Sequence, residues 1–325
     1  MVSKPVTKQT ARLSPMSLAS DGVATSREAH ERMMAKIATR AGDYLALTKP
    51  RVMSLVVFTA VVGLVAAPGN LEPAIGIATI LCIAIGAGAA GALNMWYDAD
   101  VDALMGRTAA RPIPRGRLSP RAALAFGLAT GAASVTALGL LTNVAAAGLL
   151  AFTIFFYVAI YTIWLKRSTP QSIVIGGAAG ASPPVIAWIA ATGTVDVEPL
   201  VLFLIVFFWT PPHFWALALN RAADYSRARI PALPVAAGEA ATRRQILVYT
   251  ILLLPISLLP FLLGFATAFY ATVAVASGAT MIVLALKLRR RGVVRRQVAS
   301  RLFAFSICHL VFLFAALLIE KIMID

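Results

Sequence analysis

The sequence predicts an all-α fold: a polytopic membrane bundle of nine transmembrane helices in two pseudo-repeats of four plus one, amino terminus inside and carboxyl terminus outside. Composition is the first observation behind this. Hydrophobic residues make up 59% of the 325 and charged residues only 13%, with a mean hydropathy of +0.82, which belongs to the membrane class rather than to a soluble chain. Length is the second: nine apolar runs reach or approach the roughly 20 residues a helix needs to cross a hydrocarbon core. Charge placement is the third. Lys and Arg stay on the cytoplasmic side of short loops, and all of the 29 except Lys321 fall on one side of these runs.

In chain order, residues 1–40 form a polar amino-terminal segment ahead of an integral-membrane domain over 41–325. Residues 1–24 are rich in Ser, Thr, Lys and Arg and lack the apolar core of a secretory signal, so disorder is expected, with a short organellar transit segment as the second reading. Thr25 and Glu28 have capping-box spacing, which predicts a surface helix beginning there. His30 falls in this segment and is expected to be solvated. The spans follow near 50–67, 73–95, 120–141, 144–165, 171–192, 199–220, 246–265, 268–287 and 302–320.

The formal charge of +15 does not point to nucleic acid, because the basic residues lie between long apolar runs, where orientation in a lipid bilayer accounts for them. Cys82 and Cys308 lie inside apolar runs without metal-type spacing and read as small hydrophobes.

The stretch NMWYDADVDALMGRTAARPIP, Asn94 to Pro114, organises the functional reading. Asn94, Asp98 and Asp102 are each four residues apart, so on a helix they drift only about 40° per step and share one face. Carboxylates beside a membrane span are costly unless partners receive them. Mg²⁺ takes oxygen ligands and usually bridges one or two carboxylates to phosphates, so acids followed by arginines predict Mg²⁺ and a diphosphate. Arg107 and Arg111 would contact that diphosphate. Asp100 points about 200° from Asp98 and is either a supporting residue or a structural one.

A second loop on the same basic side repeats the pattern. Asn220 precedes Asp224 by four, and Pro231 and Pro234 follow as Pro112 and Pro114 follow in the first. This predicts a duplicated four-helix unit, spans one to four and five to eight, with the ninth added. The copies differ: the position equivalent to Asp102 is Ala228.

The first acidic stretch resembles the Asp-rich motif of the intramembrane aromatic prenyltransferase superfamily, and its wording is similar to the haem-farnesylating branch. YLALTKPRV at 44–52, KRSTPQSIVIGGAAGASPPVIAW at 166–188, TPPHFWALAL at 210–219 and DYSRARIPALPV at 224–235 carry the same likeness. The resemblance implies a nine-helix enzyme that joins the farnesyl group of farnesyl diphosphate to a vinyl group of haem B, giving haem O. It implies a bacterial inner membrane, an active site facing the cytoplasm and a downstream haem A synthase as partner. Asn94, Asp98 and Asp102 match the first metal and diphosphate motif, and Asp224 the start of the second, where Ala228 leaves one carboxylate.

Breaking an allylic carbon–oxygen bond separates a carbocation from diphosphate, so the site must neutralise one and shelter the other. Mg²⁺, Arg107, Arg111, Lys166 and Arg167 suit the first task. Trp96, Tyr97, Tyr161, Trp164, Trp209 and Trp215 suit the second through cation–π attraction, or else form an interfacial belt. No general base is needed for attack by an alkene, and the sequence does not identify what positions the water that supplies the product hydroxyl. His213, beside Pro211 and Pro212, is read either as the haem-iron ligand or as a structural imidazole in a helix break. His309 is expected to be structural.

The Gly-rich runs at 86–94 and 175–184 are read as close helix packing or as room for a flat macrocycle, and KLRRRGVVRRQ at 287–297 as a positive-inside anchor that attracts anionic lipid, with substrate propionate binding as the second reading. Three rival functions stand beside the main one: prenylation of a quinone-ring or chlorophyll-type acceptor, secondary transport, and non-catalytic haem carriage. The acids cluster at one membrane face, whereas transport acids sit near the midplane.

Overall fold

A computed structural model describes residues 34, 39–69, 71–289 and 295–324. The readings made for residues 1–24, for Thr25 and Glu28, and for His30 lie outside the described residues, as do residues 290–294 of the basic run. The chain divides into two compact units, Met1–Tyr44 and Leu45–Asp325. Among the described residues every regular element is helical.

Among the described residues nine long helices follow one another in the second unit: α1 (Pro50–Ala66), α2 (Pro73–Tyr97), α3 (Pro120–Leu141), α4 (Val144–Ser168), α5 (Ser172–Thr192), α6 (Val197–Asn220), α7 (Gly238–Leu262), α8 (Ala268–Arg289) and α9 (Arg295–Ile324). Each corresponds to one predicted span. Eight are long and apolar enough alone; α1, with 17 residues, qualifies only together with the helical segment Thr39–Leu47 that precedes it.

Local sequence explains where several begin. Pro50, Pro73 and Pro120 stand at first helical positions, where the missing N–H costs nothing and φ is already helical. Ser119 and Asn143 cap α3 and α4, their side-chain oxygens accepting from Ala122 N at 3.2 Å and Ala146 N at 2.9 Å.

Packing relates the two halves as the repeated motif suggested. α2 packs against α3 and α6 against α7, while α9 lies against α8, α6 and α1. α5 is interrupted at Ser182, before Pro183 and Pro184, and α1 crosses it so closely that a Cβ on Gly63 would lie 2.4 Å from the Pro184 carbonyl oxygen. At the other end of the bundle Glu320 of α9 accepts from the backbone N–H groups of Thr267 and Tyr270, both at 2.9 Å. This anion caps the start of α8.

Two helices depart from the expected regular spans. In α4, residues Phe156–Leu165 form a π-helix, a form concentrated at functional sites because it costs stability elsewhere. α6 runs unbroken through Pro211 and Pro212, so His213 sits within a continuous helix and not in a break.

Candidate active site

The loops after α2 and α6 hold the candidate residues. α2 ends at Tyr97 and a short helix, Ala99–Leu104, begins after Asp98. The i+4 backbone bonds persist through the junction, Asp98 N to Asn94 O at 2.9 Å and Asp102 N to Asp98 O at 2.8 Å. The predicted alignment of Asn94, Asp98 and Asp102 therefore survives the interruption, with all three buried.

Each acid meets a cation. Lys166 pairs with Asp98 Oδ2, Arg167 reaches Asp98 Oδ1 at 3.6 Å, and Arg111 holds Asp102 Oδ2 at 2.5 Å. Asn94 Nδ2 donates to Asp98 Oδ2 at 2.8 Å and to Thr162 Oγ1 at 3.1 Å. Asp100, exposed, grips Arg167 with both oxygens at 2.8 and 2.9 Å. That contact holds its carboxyl below the usual carboxylate range. Arg167 also lies 4.7 Å above the Tyr97 ring, so Asp100 supports the cation that approaches Asp98.

Lys49 is the main residue that the sequence reading missed. It joins the site between Leu47 and α1, in the left-handed conformation at φ 54°, which a β-carbon makes costly. Its Nζ donates to Asn94 Oδ1 at 2.6 Å and lies 5.9 Å from the Tyr157 ring centre. The available signal was a lysine immediately before a helix-starting proline in YLALTKPRV.

The π-helical stretch of α4 supplies the aromatic wall. Tyr157 and Tyr161 lie 5.2 Å apart, and a Cβ on Gly176 would come within 2.3 Å of the Tyr161 ring. Glycine alone fits there. Of the other aromatic candidates, Trp96 packs edge-on to Tyr97 and Trp164 is exposed. Trp215 is fully buried against Tyr249.

The second motif is brought to the first by an apolar cluster in which Val101 and Met105 meet Ala218, Tyr225, Ala228 and Ile230. Ala228 is thus a packing residue. Asp224 pairs with Arg227, has Arg221 at 4.0 Å, and stands 3.9 Å from where a Gly106 Cβ would be. Arg107 is exposed, has no ion-pair partner among the described residues, and its charge acts on the Tyr225 phenol, which burial pushes up. Asn220 does not parallel Asn94: its amide donates to Arg296 O at 3.2 Å and Ser300 Oγ at 2.9 Å on α9.

His213 lies in the seam between α6 and α9, stacked between Trp209 at 4.3 Å and Phe303 at 4.6 Å. Its Nδ1 bonds Ser306 Oγ at 2.6 Å, and Trp209 Nε1 donates to Ser306 O at 2.6 Å. His309 is fully buried with Nδ1 2.9 Å from Ser277 Oγ. Cys82 is buried and Cys308 exposed, neither in a disulfide.

A divalent cation fits this donor set in part. Asp98 Oδ1 is buried without a hydrogen-bond partner, the dehydrated oxygen that a hard cation takes. Among the described residues no three His, Cys, Asp or Glu side chains converge into a complete metal cage, so external oxygens such as phosphate would have to complete the shell.

Residues 55–314 match the UbiA prenyltransferase family. The chain belongs to that family. Relatives within it include a protoheme IX farnesyltransferase of Azorhizobium caulinodans, 60% identical over 86% of this chain and 92% of the relative. Another, from Parvibaculum lavamentivorans, is 56% identical over 87% and 90% respectively. The UbiA fold is shared with a digeranylgeranylglyceryl phosphate synthase, TM-score 0.72 at 15% identity over 88% of this chain and 99% of that one. A UbiA homologue from Archaeoglobus fulgidus bound to GPP and Mg²⁺ superposes with TM-score 0.59 at 17% identity over 85% and 99%.

Proposed function

We propose that this protein is a Mg²⁺-dependent protohaem IX farnesyltransferase, joining the farnesyl group of farnesyl diphosphate to a vinyl group of haem B to give haem O. The observation that carries this reading is the likeness to enzymes of that name across nearly all of the membrane bundle. The bundle from residue 41 onward would carry the activity, in a bacterial inner membrane with the acidic motifs toward the cytoplasm. A haem A synthase would then consume the product.

Asn94, Asp98, Asp102 and Asp224 are the donors through which the two motifs would hold Mg²⁺, with substrate phosphate oxygens completing a shell for which no three of the acids converge among the described residues; the bound ion would neutralise charge on the diphosphate. Asn94 Oδ1 and the carboxylates are occupied by Lys49, Lys166, Arg111 and Arg227. Those cations can turn from carboxylate to phosphate when substrate enters, joined by Arg107 and Arg167. The allylic carbon–oxygen bond breaks with its electron pair leaving on diphosphate, and the Tyr157 and Tyr161 faces shelter the cation. The vinyl π electrons form the new carbon–carbon bond. Water captures the resulting cation and releases one proton, giving the hydroxyl.

His213 would hold the haem iron through Nε2, since Nδ1 is committed to Ser306, the arrangement by which a second hydrogen bond orients a ligating imidazole. The rival acceptors are separated by one competition. Purified protein, Mg²⁺ and labelled farnesyl diphosphate are offered haem B, a quinone-ring precursor or a chlorophyll-type ring. Label confined to haem supports the reading, and label on another acceptor replaces it.

A further inference from the structure

A basic cleft of about 660 Å³ between the end of α6 and the start of α9 adjoins the second motif, from which it borrows Arg221. Asn220, Arg221, Arg296, Ser300 and Arg301 line it. Neither Arg296 nor Arg301 has an ion-pair partner among the described residues. Arg221 stands 4.0 Å from Asp224, but Asp224 is already paired more closely with Arg227. Three guanidinium groups with most of their charge uncompensated favour an oxyanion, which they bind through paired N–H donors.

Asn220 adds a second requirement. Its Nδ2 is used by Arg296 O and Ser300 Oγ, while its Oδ1 is buried without a partner. An orphaned amide oxygen keeps its desolvation cost until a donor meets it, so the fitting ligand brings a hydroxyl donor as well as a negative charge. Ionised propionates bring charge without a donor. The cleft sits at the ends of two membrane helices, where basic pockets between helices take acidic lipid head groups.

We propose that this cleft binds the head group of an anionic phospholipid with free glycerol hydroxyls, its phosphate on the arginines and a hydroxyl on Asn220 Oδ1. The full-length protein is delipidated in detergent and exposed to phosphatidylcholine mixed with phosphatidylglycerol, or with phosphatidylmethanol, which carries the same charge but no hydroxyl donor. Lipid retained after gel filtration is counted by mass spectrometry.

Wild-type protein retains phosphatidylglycerol about tenfold over phosphatidylcholine and several-fold over phosphatidylmethanol, where tenfold corresponds to about 1.4 kcal/mol. Arg296→Gln with Arg301→Gln abolishes the first preference, and Asn220→Leu abolishes the second. Equal retention of all three lipids by the wild type overturns the proposal without depending on any variant. So does a double variant that keeps wild-type lipid retention. A double variant that loses affinity for haem B but not for its dimethyl ester, with lipid retention unchanged, assigns the arginines to propionates and overturns it too.

Discussion

Thr162 Oγ1 accepts a hydrogen bond from Asn94 Nδ2 at 3.1 Å while donating to the Tyr157 carbonyl at 2.8 Å. The hydroxyl hydrogen is spent on Tyr157, five residues back in the π-helical stretch, so only lone pairs face Asn94. Its amide must then turn NH₂ toward Thr162 and Asp98, and oxygen toward Lys49.

Removing that director should loosen the amide. Thr162→Val, close in shape but without the oxygen, is expected to raise the Mg²⁺ concentration for half-maximal turnover roughly fivefold to tenfold, the worth of one net hydrogen bond of about 1 kcal/mol. Thr162→Ser should restore it, and in an Asn94→Ala background the valine should add nothing. Titration of Mg²⁺ against initial rate, paired with Mn²⁺ binding followed by electron paramagnetic resonance, checks both.

The Lys166–Asp98 pair joins a half-sheltered ammonium to a fully buried carboxylate, their side chains 18% and 0% exposed. Lys166→Met should destabilise the protein by about 3 kcal/mol, the lower end for breaking a buried pair, because Lys166 keeps some contact with water. Adding Asp98→Asn should recover much of that loss by removing the stranded charge. Thermal unfolding in one detergent compares the three proteins.

Gly176 seats Tyr161 on α5. Gly176→Ala drives a methyl into the ring and should cost about 1–3 kcal/mol as overpacking, with a fall in turnover. Tyr161→Leu in the same chain should return the stability but not the turnover, which separates the fit of the ring from its use.

Donor and acceptor roles should also come apart. Asp98→Ala and Asp224→Ala are expected to lower kcat by about 10²–10³ with haem absorbance and affinity nearly unchanged. His213→Ala should alter the haem spectrum while prenyl diphosphate binding stays at the wild-type level. Equilibrium dialysis with each substrate reads the difference.

Much of this arrangement was legible from residue spacing. Among the described residues the nine spans emerge as nine helices because bilayer thickness sets their lengths, and the four-residue spacing of Asn94, Asp98 and Asp102 was enough to put them on one face. What spacing could not show was anything made by contact across the chain. Lys49 enters the site through a left-handed residue, Thr162 through a π-helix, and Ser306 through the packing of α9 on α6. Thr162 and Ser306 have no local pattern that signals them, and Lys49 has only its place before a helix-starting proline. The parallel drawn between Asn94 and Asn220 also stops at sequence, because Asn220 turns to α9.

The most direct measurement is the mass of the haem recovered after incubating the purified protein with haem B, farnesyl diphosphate and Mg²⁺. Hydroxyethylfarnesyl haem should accumulate, disappear with a chelator, return with added Mg²⁺ and be absent from Asp98→Ala. Unchanged haem B, under conditions in which a related farnesyltransferase makes product, would contradict the account.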